Sequence, residues 1–343
     1  FSRDELKQFE ISQSLRKNFS IDKSLVNDNL ELVARKLLFE LLPICYLEGF
    51  VNLNKQVELL NWPHSPKFIF TSNNYKFDEL FKLWSANKIK KGSKYIIGQH
   101  GNIPGIDRYT QNTIEMEISD KYLTWGWENK QKNIIPAFIF KTVGASRKKI
   151  SYNGILLVLC HYPHQNSLWD ETFNYHKHFY NLISLIEGLS IDIRKEISVR
   201  LHSASRNFKY YEKDRLLNFD KNIKISDEAI PFNKQLNKNK LIIFGYDSTG
   251  VLEVFSRNIP TLVFFGENLE HLRDDAKDFY NLLAKVKIIH FSHESLTKHL
   301  NAIWPDIDKW WFSNNVQIAI SKFCFKYANR SKSPISDLVS LLN

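Results

Sequence analysis

Residues 241–265 read LIIFGYDSTGVLEVFSRNIPTLVFF, and this stretch decides the fold. Residues 241–244 form a short apolar run with the length and composition of a buried strand. Gly245-Tyr246-Asp247-Ser248-Thr249-Gly250 follows, a small polar cluster of the kind that caps a helix. Val251, Leu252, Val254 and Phe255 then supply an apolar helical face, and Asn258 suits the helix stop. Pro260 resets the chain, and residues 261–265 read as the next buried strand. The unit is strand, loop, helix, strand, and its helix starts in a glycine- and hydroxyl-rich loop. Free N–H groups and the positive end of the helix dipole face whatever lies beyond the strand. In open α/β sheets that is where ligands bind. An ordinary, well-capped crossover has the same pattern. Glu253, one turn into the helix, tips the reading toward a nucleotide: phosphate at the helix start, ribose hydroxyls on the carboxylate.

Working outward, the 343 residues exceed one ordinary core, so two domains are expected. Hydrophobic content of 43% with 14% aromatics supplies packed cores and excludes a disordered chain. No apolar run reaches the roughly 18 residues of a membrane-spanning helix. The chain starts at Phe1 with no signal-like segment, and further sequence is expected before it. Cys45, Cys160 and Cys324 are widely spaced in apolar surroundings and read as free thiols of a reducing compartment. The formal net charge of +10 favours anionic partners. No zinc-finger spacing, RNA-recognition signature or basic dimerising helix is present, so nucleic acid is not expected as a partner.

Along the chain, residues 25–50 read as one amphipathic helix, 67–71 as a strand, 76–87 as a helix, and 94–98 and 121–125 as strands. Three strands with intervening helices outline part of a Rossmann-like domain over residues 1–145. KTVGASRKKI, residues 141–150, is polar and basic and reads as the linker. Over 146–343 the alternation restarts, with strands at 155–160, 196–201, 222–226, 241–244, 261–265 and 286–291, and a helix at 171–189. Helices over 305–327 and 336–342 close the chain. The alternation predicts a second parallel sheet covered on both faces.

Several polar side chains stand at strand ends. Gln99-His100-Gly101 ends the 94–98 strand in a glycine turn and is expected at the cleft, where an imidazole suits general-base work near neutral pH. A histidine that only ties down a loop fits the same position. Asp107 and Arg108 follow as assisting groups or solvated loop charges. Arg200 and His202 share one side of a strand end. His161 and His164 lie in HYPHQN after another strand, as loop histidines near the ligand. Trp125, Trp127, Trp304, Trp310 and Trp311 read as packing residues. No paired carboxylates or His/Cys set has metal-ligand spacing, and no metal is expected. No GxSxG elbow, Walker loop, GxGxxG fingerprint or HExxH helix is present.

The combination IIGQHGNIPGI, YDSTGVLEVFSRNIPTLVFF and IWPDIDKWW resembles a family of bacterial surface-carbohydrate transferases over most of residues 65–330. More broadly the layout resembles GT-B glycosyltransferases, an α/β class with two Rossmann-like domains facing a cleft and closing C-terminal helices. His100-Gly101, Tyr246 to Thr249, and Arg200 to His202 also resemble elements of teichoic-acid polyol-phosphate transferases. Transferases using CMP-activated Kdo or sialic acids share the last element, with proline where Ser203 stands here.

The resemblance implies an inverting, metal-independent glycosyltransferase using a nucleotide sugar and no cofactor. Its donor is expected to be CMP-activated, with Kdo or a related acidic sugar. Its acceptor is a surface polysaccharide or a lipid-linked oligosaccharide. His100 is the expected base; Arg200, His202, Tyr246, Asp247, Ser248, Thr249, Gly250 and Glu253 are expected on the nucleotide. A cytoplasmic location, with peripheral contact to anionic membrane, is expected. A CDP-polyol-dependent transferase and a non-catalytic glycan- or nucleotide-binding protein are the alternatives.

Overall fold

The computed structural model describes residues 9–17, 24, 26–108, 110, 113–145, 154–160, 175–206, 210–226, 229–266 and 268–342. Contacts divide the chain into two compact units, Phe1–Ile97 and Gly98–Asn343.

In the first unit the expected helix over 25–50 is interrupted. Asp28 caps α1 (Asn29–Leu41) by accepting from Glu31 N–H, Pro43 follows its end, and α2 is Phe50–Leu59. Arg16 closes the end of α1 by donating to the carbonyls of Phe39, Glu40 and Leu42. The same guanidinium grips Glu48 through two bonds of 2.8 Å and, through that hydrogen bonding, holds its carboxyl down at about 2. α1 buries none of its residues: Leu30, Val33, Leu37, Leu38 and Leu41 are exposed. β1 (Phe68–Thr71) pairs in parallel with β2 (Lys94–Gly98), joined through α3 (Glu79–Ile89), which Asp78 caps. Leu53, Val57, Phe81 and Trp84 form the core between α2 and α3, with Trp62 edge-on to Trp84 at 5.2 Å.

The second unit opens with β3 (Lys121–Thr124) and β4 (Ile134–Pro136), a parallel pair. Its main sheet contains β5 (Gly154–Val158), β6 (Ile197–Arg200), β7 (Lys224–Ile225), β8 (Asn239–Phe244), β9 (Thr261–Phe264) and β10 (Ile289–His290). Their order is β10-β9-β8-β5-β6-β7, and every pair is parallel. That is the doubly wound order, and the direction of winding reverses between β5 and β8. Near-continuous apolar strands follow from burial on both faces: all four residues of β9 are buried. The unit's helices of eight or more residues, among the described ones, are α4 (Tyr175–Gly188), α5 (Glu212–Phe219), α6 (Thr249–Ser256), α7 (Asp274–Lys285), α8 (His293–Ile303), α9 (Asn314–Tyr327) and α10 (Pro334–Leu342). The chain is α/β, with parallel sheets as expected.

The division at residue 97 precedes the expected one at 145 because the C-terminal segment returns onto residues 121–145. Asn329 N–H donates to Trp125 O at 2.9 Å, and Ile139 N–H donates to Asn329 O at 2.8 Å. Arg330 Nη2 reaches Ala145 O and Lys121 Nζ reaches Leu341 O, at 2.8 and 2.7 Å. The helix expected over 305–327 is broken into a 3-10 turn, Ile307–Trp311 and α9, with Ser313 at the N-cap of α9.

Two histidines are built into this core. His178 stacks on Phe264 at 5.2 Å, and burial pushes its pKa down to about 4. His290 donates from Nε2 to Lys287 O and accepts at Nδ1 from Ser295; burial, then neighbouring His299, push it to about 4. Both stay neutral in the fold and protonate in the unfolded chain below about pH 6.5. The stability they contribute is complete above that value and is lost as pH falls toward 4, about 3 kcal/mol for each. Urea unfolding at pH 7 and pH 4.5 should show this loss. Equal stability at the two values would contradict the buried placement.

Candidate functional site

The loop after β2 is organised from within by Gln99, which is buried. Its Oε1 accepts from Trp125 N–H and from Trp127 Nε1–H, each at 2.8 Å. Its Nε2 donates to Gly101 O at 2.7 Å and to Pro104 O at 3.4 Å. Gln99, expected as a cleft residue, is therefore the internal pin of the loop. Gly105 completes the turn with φ +80°, and a Cβ there would overlap the Trp127 indole. Gly105→Ala should destabilise the protein by about 2–4 kcal/mol, combining a left-handed backbone with overpacking. A change below about 0.5 kcal/mol in urea unfolding, the level of an ordinary surface substitution, would contradict this.

The same loop is tied to the start of α6. Asn102 N–H donates to Thr249 Oγ1 at 3.2 Å, and the Thr249 hydroxyl lies 3.3 Å from Asn102 Oδ1, to which it donates. Asn102 Nδ2 donates to Asp247 Oδ1 at 3.4 Å. Gly101 lies against Thr249, close enough that an added Cβ would stand 3.2 Å from its Oγ1. His100, half-buried, is thus carried on a loop clasped by Asp247 and Thr249. Both of those side chains, expected on the nucleotide, are engaged in this clasp.

A third segment, after β9, joins the cluster. His271 Nε2 lies 3.2 Å from Asp247 Oδ2, which also accepts from the Tyr280 hydroxyl at 2.9 Å. Asp107 forms an antiparallel bridge with Leu272. Arg108 N–H donates to His271 O at 3.0 Å, and Arg273 N–H to Ile106 O at 2.8 Å. Asp107 and Arg108 therefore sit on the backbone zipper between two loops, with Arg108 exposed. Asn102, His271 and Tyr280 escape a reading of the sequence. The one signal for His271 is its position in a polar loop past a strand end.

At the switch point between β5 and β8, Gly245 N–H donates to Val158 O at 2.9 Å. Burial pushes the Tyr246 phenol up to about 12, with Cys160 adding to the rise; a hydrogen bond with Ser248 and the Arg200 charge oppose it. Tyr246 is thus hydrogen-bonded with Ser248 and feels the charge of Arg200. Arg200 also donates to Ile230 O at 3.0 Å and lies over the Phe232 ring at 5.8 Å. His202 turns its Nδ1 to the Ala204 N–H, 3.1 Å away. Gly250 lets α6 start against the Phe244 ring. Glu253 is nearly buried and paired with Lys141 Nζ at 2.7 Å. A ribose bound there would share that carboxylate with a lysine from the stretch that reads as a linker. His161 and His164 lie outside the described residues. All three cysteines are free. Among the described residues no group of three or more His, Cys, Asp or Glu is placed to hold a metal ion, and no helix is long and apolar enough to cross a membrane.

Among solved structures, the chain is similar to the spinosyn rhamnosyltransferase SpnG complexed with spinosyn aglycone, at 13% identity over 86% of this chain and 77% of that one, TM-score 0.41. It is also similar to S. aureus MnaA in its UDP co-structure, at 10% identity over 85% and 78%, TM-score 0.49. The wall teichoic acid polymerase TagF is a third, at 11% identity over 91% and 94%, TM-score 0.37. No curated protein matches the sequence. A model of the LIC12162 family transferases matches residues 1–342, and the chain belongs to that family.

Proposed function

We propose that this transferase moves a sugar from a nucleotide donor to a surface polysaccharide or a lipid-linked glycan. The observation that carries the reading is the loop from Gly245 to Gly250, which opens α6 at the switch point of the six-stranded sheet. Backbone N–H groups at the α6 start and the Ser248 hydroxyl bind the donor phosphate. Arg200 and Tyr246 stand beside them and offset the charge of the leaving nucleotide. Glu253, with Lys141, takes the ribose hydroxyls. Transfer also releases a proton from the acceptor hydroxyl, and the loops of this cluster carry two imidazoles, His100 and His271. The donor class is a CMP-activated acidic sugar, Kdo or a relative, on the resemblance of Arg200 to His202 and of His100-Gly101 to cytidine-using transferases. The reaction needs no cation, and the net charge of +10 suits an acceptor presented at an anionic membrane surface.

Calorimetry with free nucleotides in EDTA tests the donor site. CMP or CDP should bind more tightly than UMP, GMP or AMP. Glu253→Ala should weaken binding by about 1.5–3 kcal/mol, the scale of a hydrogen bond to a charged group. Ser248→Ala should cost less, because backbone donors share the phosphate. Unchanged affinity in a folded Glu253→Ala protein would remove the ribose role. Tighter binding of another base would overturn the cytidine assignment, and binding that requires magnesium or manganese would overturn the cation-free mechanism.

A further inference from the structure

His271 lies outside the set of residues the sequence marks for catalysis, yet its surroundings are those of a proton acceptor. Its Nε2 faces Asp247 Oδ2 at 3.2 Å. An ionised carboxylate only accepts, so Nε2 carries the hydrogen and Nδ1 keeps its lone pair. The carboxylate is itself fixed, since Oδ2 accepts from Tyr280 at 2.9 Å and Oδ1 from Asn102 Nδ2 at 3.4 Å. Tyr280 is buried, and burial followed by the nearby Asp247 charge pushes its pKa well up, so it remains a donor. The imidazole packs edge-on to Phe265 at 5.6 Å, and its backbone carbonyl is held by Arg108 N–H at 3.0 Å. The side chain is nevertheless 32% exposed, and Nδ1 is neither buried nor hydrogen-bonded among the described residues.

A carboxylate only 9% exposed, a ring held in one tautomer and an accessible lone pair form the arrangement that activates a hydroxyl. Asp247 belongs to the loop that opens α6, so one short segment carries both the phosphate-binding helix start and the anchor of this imidazole. Structural roles alone need none of this on the Nδ1 side. The loop is already joined to its neighbours by the Leu272 bridge and the backbone bonds of Arg108 and Arg273.

We infer that His271, oriented by Asp247, takes the proton of the acceptor hydroxyl; this rests on the glycosyl-transfer reading above. The acceptor oxygen forms the new bond to the sugar carbon, and its proton passes to His271 Nδ1. The bond from that carbon to the donor phosphate oxygen breaks, and its electron pair leaves with the nucleotide. Asp247 faces the positively charged ring that results and offsets its charge.

The test uses the full chain with CMP-, UDP-, GDP- and dTDP-sugars as donors and alkyl glycosides as acceptors, with released nucleotide as the readout. His271→Gln keeps an N–H for Asp247 and cannot take a proton. Its turnover should fall by about 10²–10⁴-fold, the range for losing a general base. Nucleotide affinity and melting temperature should stay near those of the wild type. Added imidazole should restore part of the turnover of His271→Ala, which a merely structural histidine would not allow. Turnover by His271→Gln within tenfold of wild type, or a loss fully explained by unfolding with no imidazole rescue, overturns the assignment. Release of no nucleotide by the wild-type chain from any donor overturns the glycosyl-transfer reading, and the assignment with it.

Discussion

Gln99→Leu is expected to destabilise the protein by about 3–5 kcal/mol, from two buried donors left unpaired at about 1–3 kcal/mol each and two carbonyls stripped of theirs. The donors are Trp125 N–H and Trp127 Nε1–H, and the carbonyls are those of Gly101 and Pro104. Leucine matches the volume and the burial of Gln99, so packing alone predicts a small effect. The loss is therefore a measure of the hydrogen bonds. Gln99→Glu should fare little better, because a second carboxylate oxygen would face the Gly101 carbonyl where a donor now stands. Urea unfolding of both variants checks this. A loss below about 1 kcal/mol for leucine, within the net worth of a single hydrogen bond, would contradict the pin.

The other large effect is expected in rate. Asp247→Asn should lower turnover by about 10²–10⁴-fold, because an amide can donate to Nε2 and so favours the tautomer with its proton on Nδ1. With the amide nitrogen in the place of Oδ2, Asn102 keeps its oxygen acceptor and the Tyr280 hydroxyl can accept from the second amide N–H, so folding should suffer far less than turnover. Nitrogen-15 spectra of the histidines supply the second readout. His271 should be protonated at Nε2 in the wild type and should change tautomer in the variant. A variant that keeps half of wild-type turnover, with the His271 tautomer changed, would contradict the role given to the ring.

The unit from β8 through α6 to β9 is legible in the sequence because each local signal agrees with the next. Ser248 occupies the N-cap in extended conformation, Asn258 follows the helix at φ 54°, and Pro260 precedes β9. The alternation of the second half likewise gives the parallel sheet. Other features depend on contacts that no window of sequence contains. Asn102 meets Thr249 across 147 positions and Asp247 across 145, and the pairing turns two residues expected on the nucleotide into a clasp. Lys141 meets Glu253 from the segment read as a linker. The apolar residues of α1 have helical spacing, but spacing says nothing of what covers them, and they are exposed. The 305–327 stretch reads as one helix because its aromatic residues keep their period, while Ser313 restarts the helix as an N-cap. α7 and α8 are hard to read among polar residues because their buried faces are sparse, with Ala276, Tyr280 and Leu283 in one and Leu296, Leu300 and Ile303 in the other.

The central claim is transfer of a sugar from a nucleotide to a hydroxyl, and release of free nucleotide tests it most directly. The wild-type chain, incubated in EDTA with nucleotide sugars and a glycan acceptor, should release nucleotide in step with the appearance of glycosylated acceptor, fastest from a CMP-activated acidic sugar. Nucleotide that binds but is never released from any sugar donor, with acceptor present, would contradict the account and make the protein a nucleotide-binding relative of these transferases.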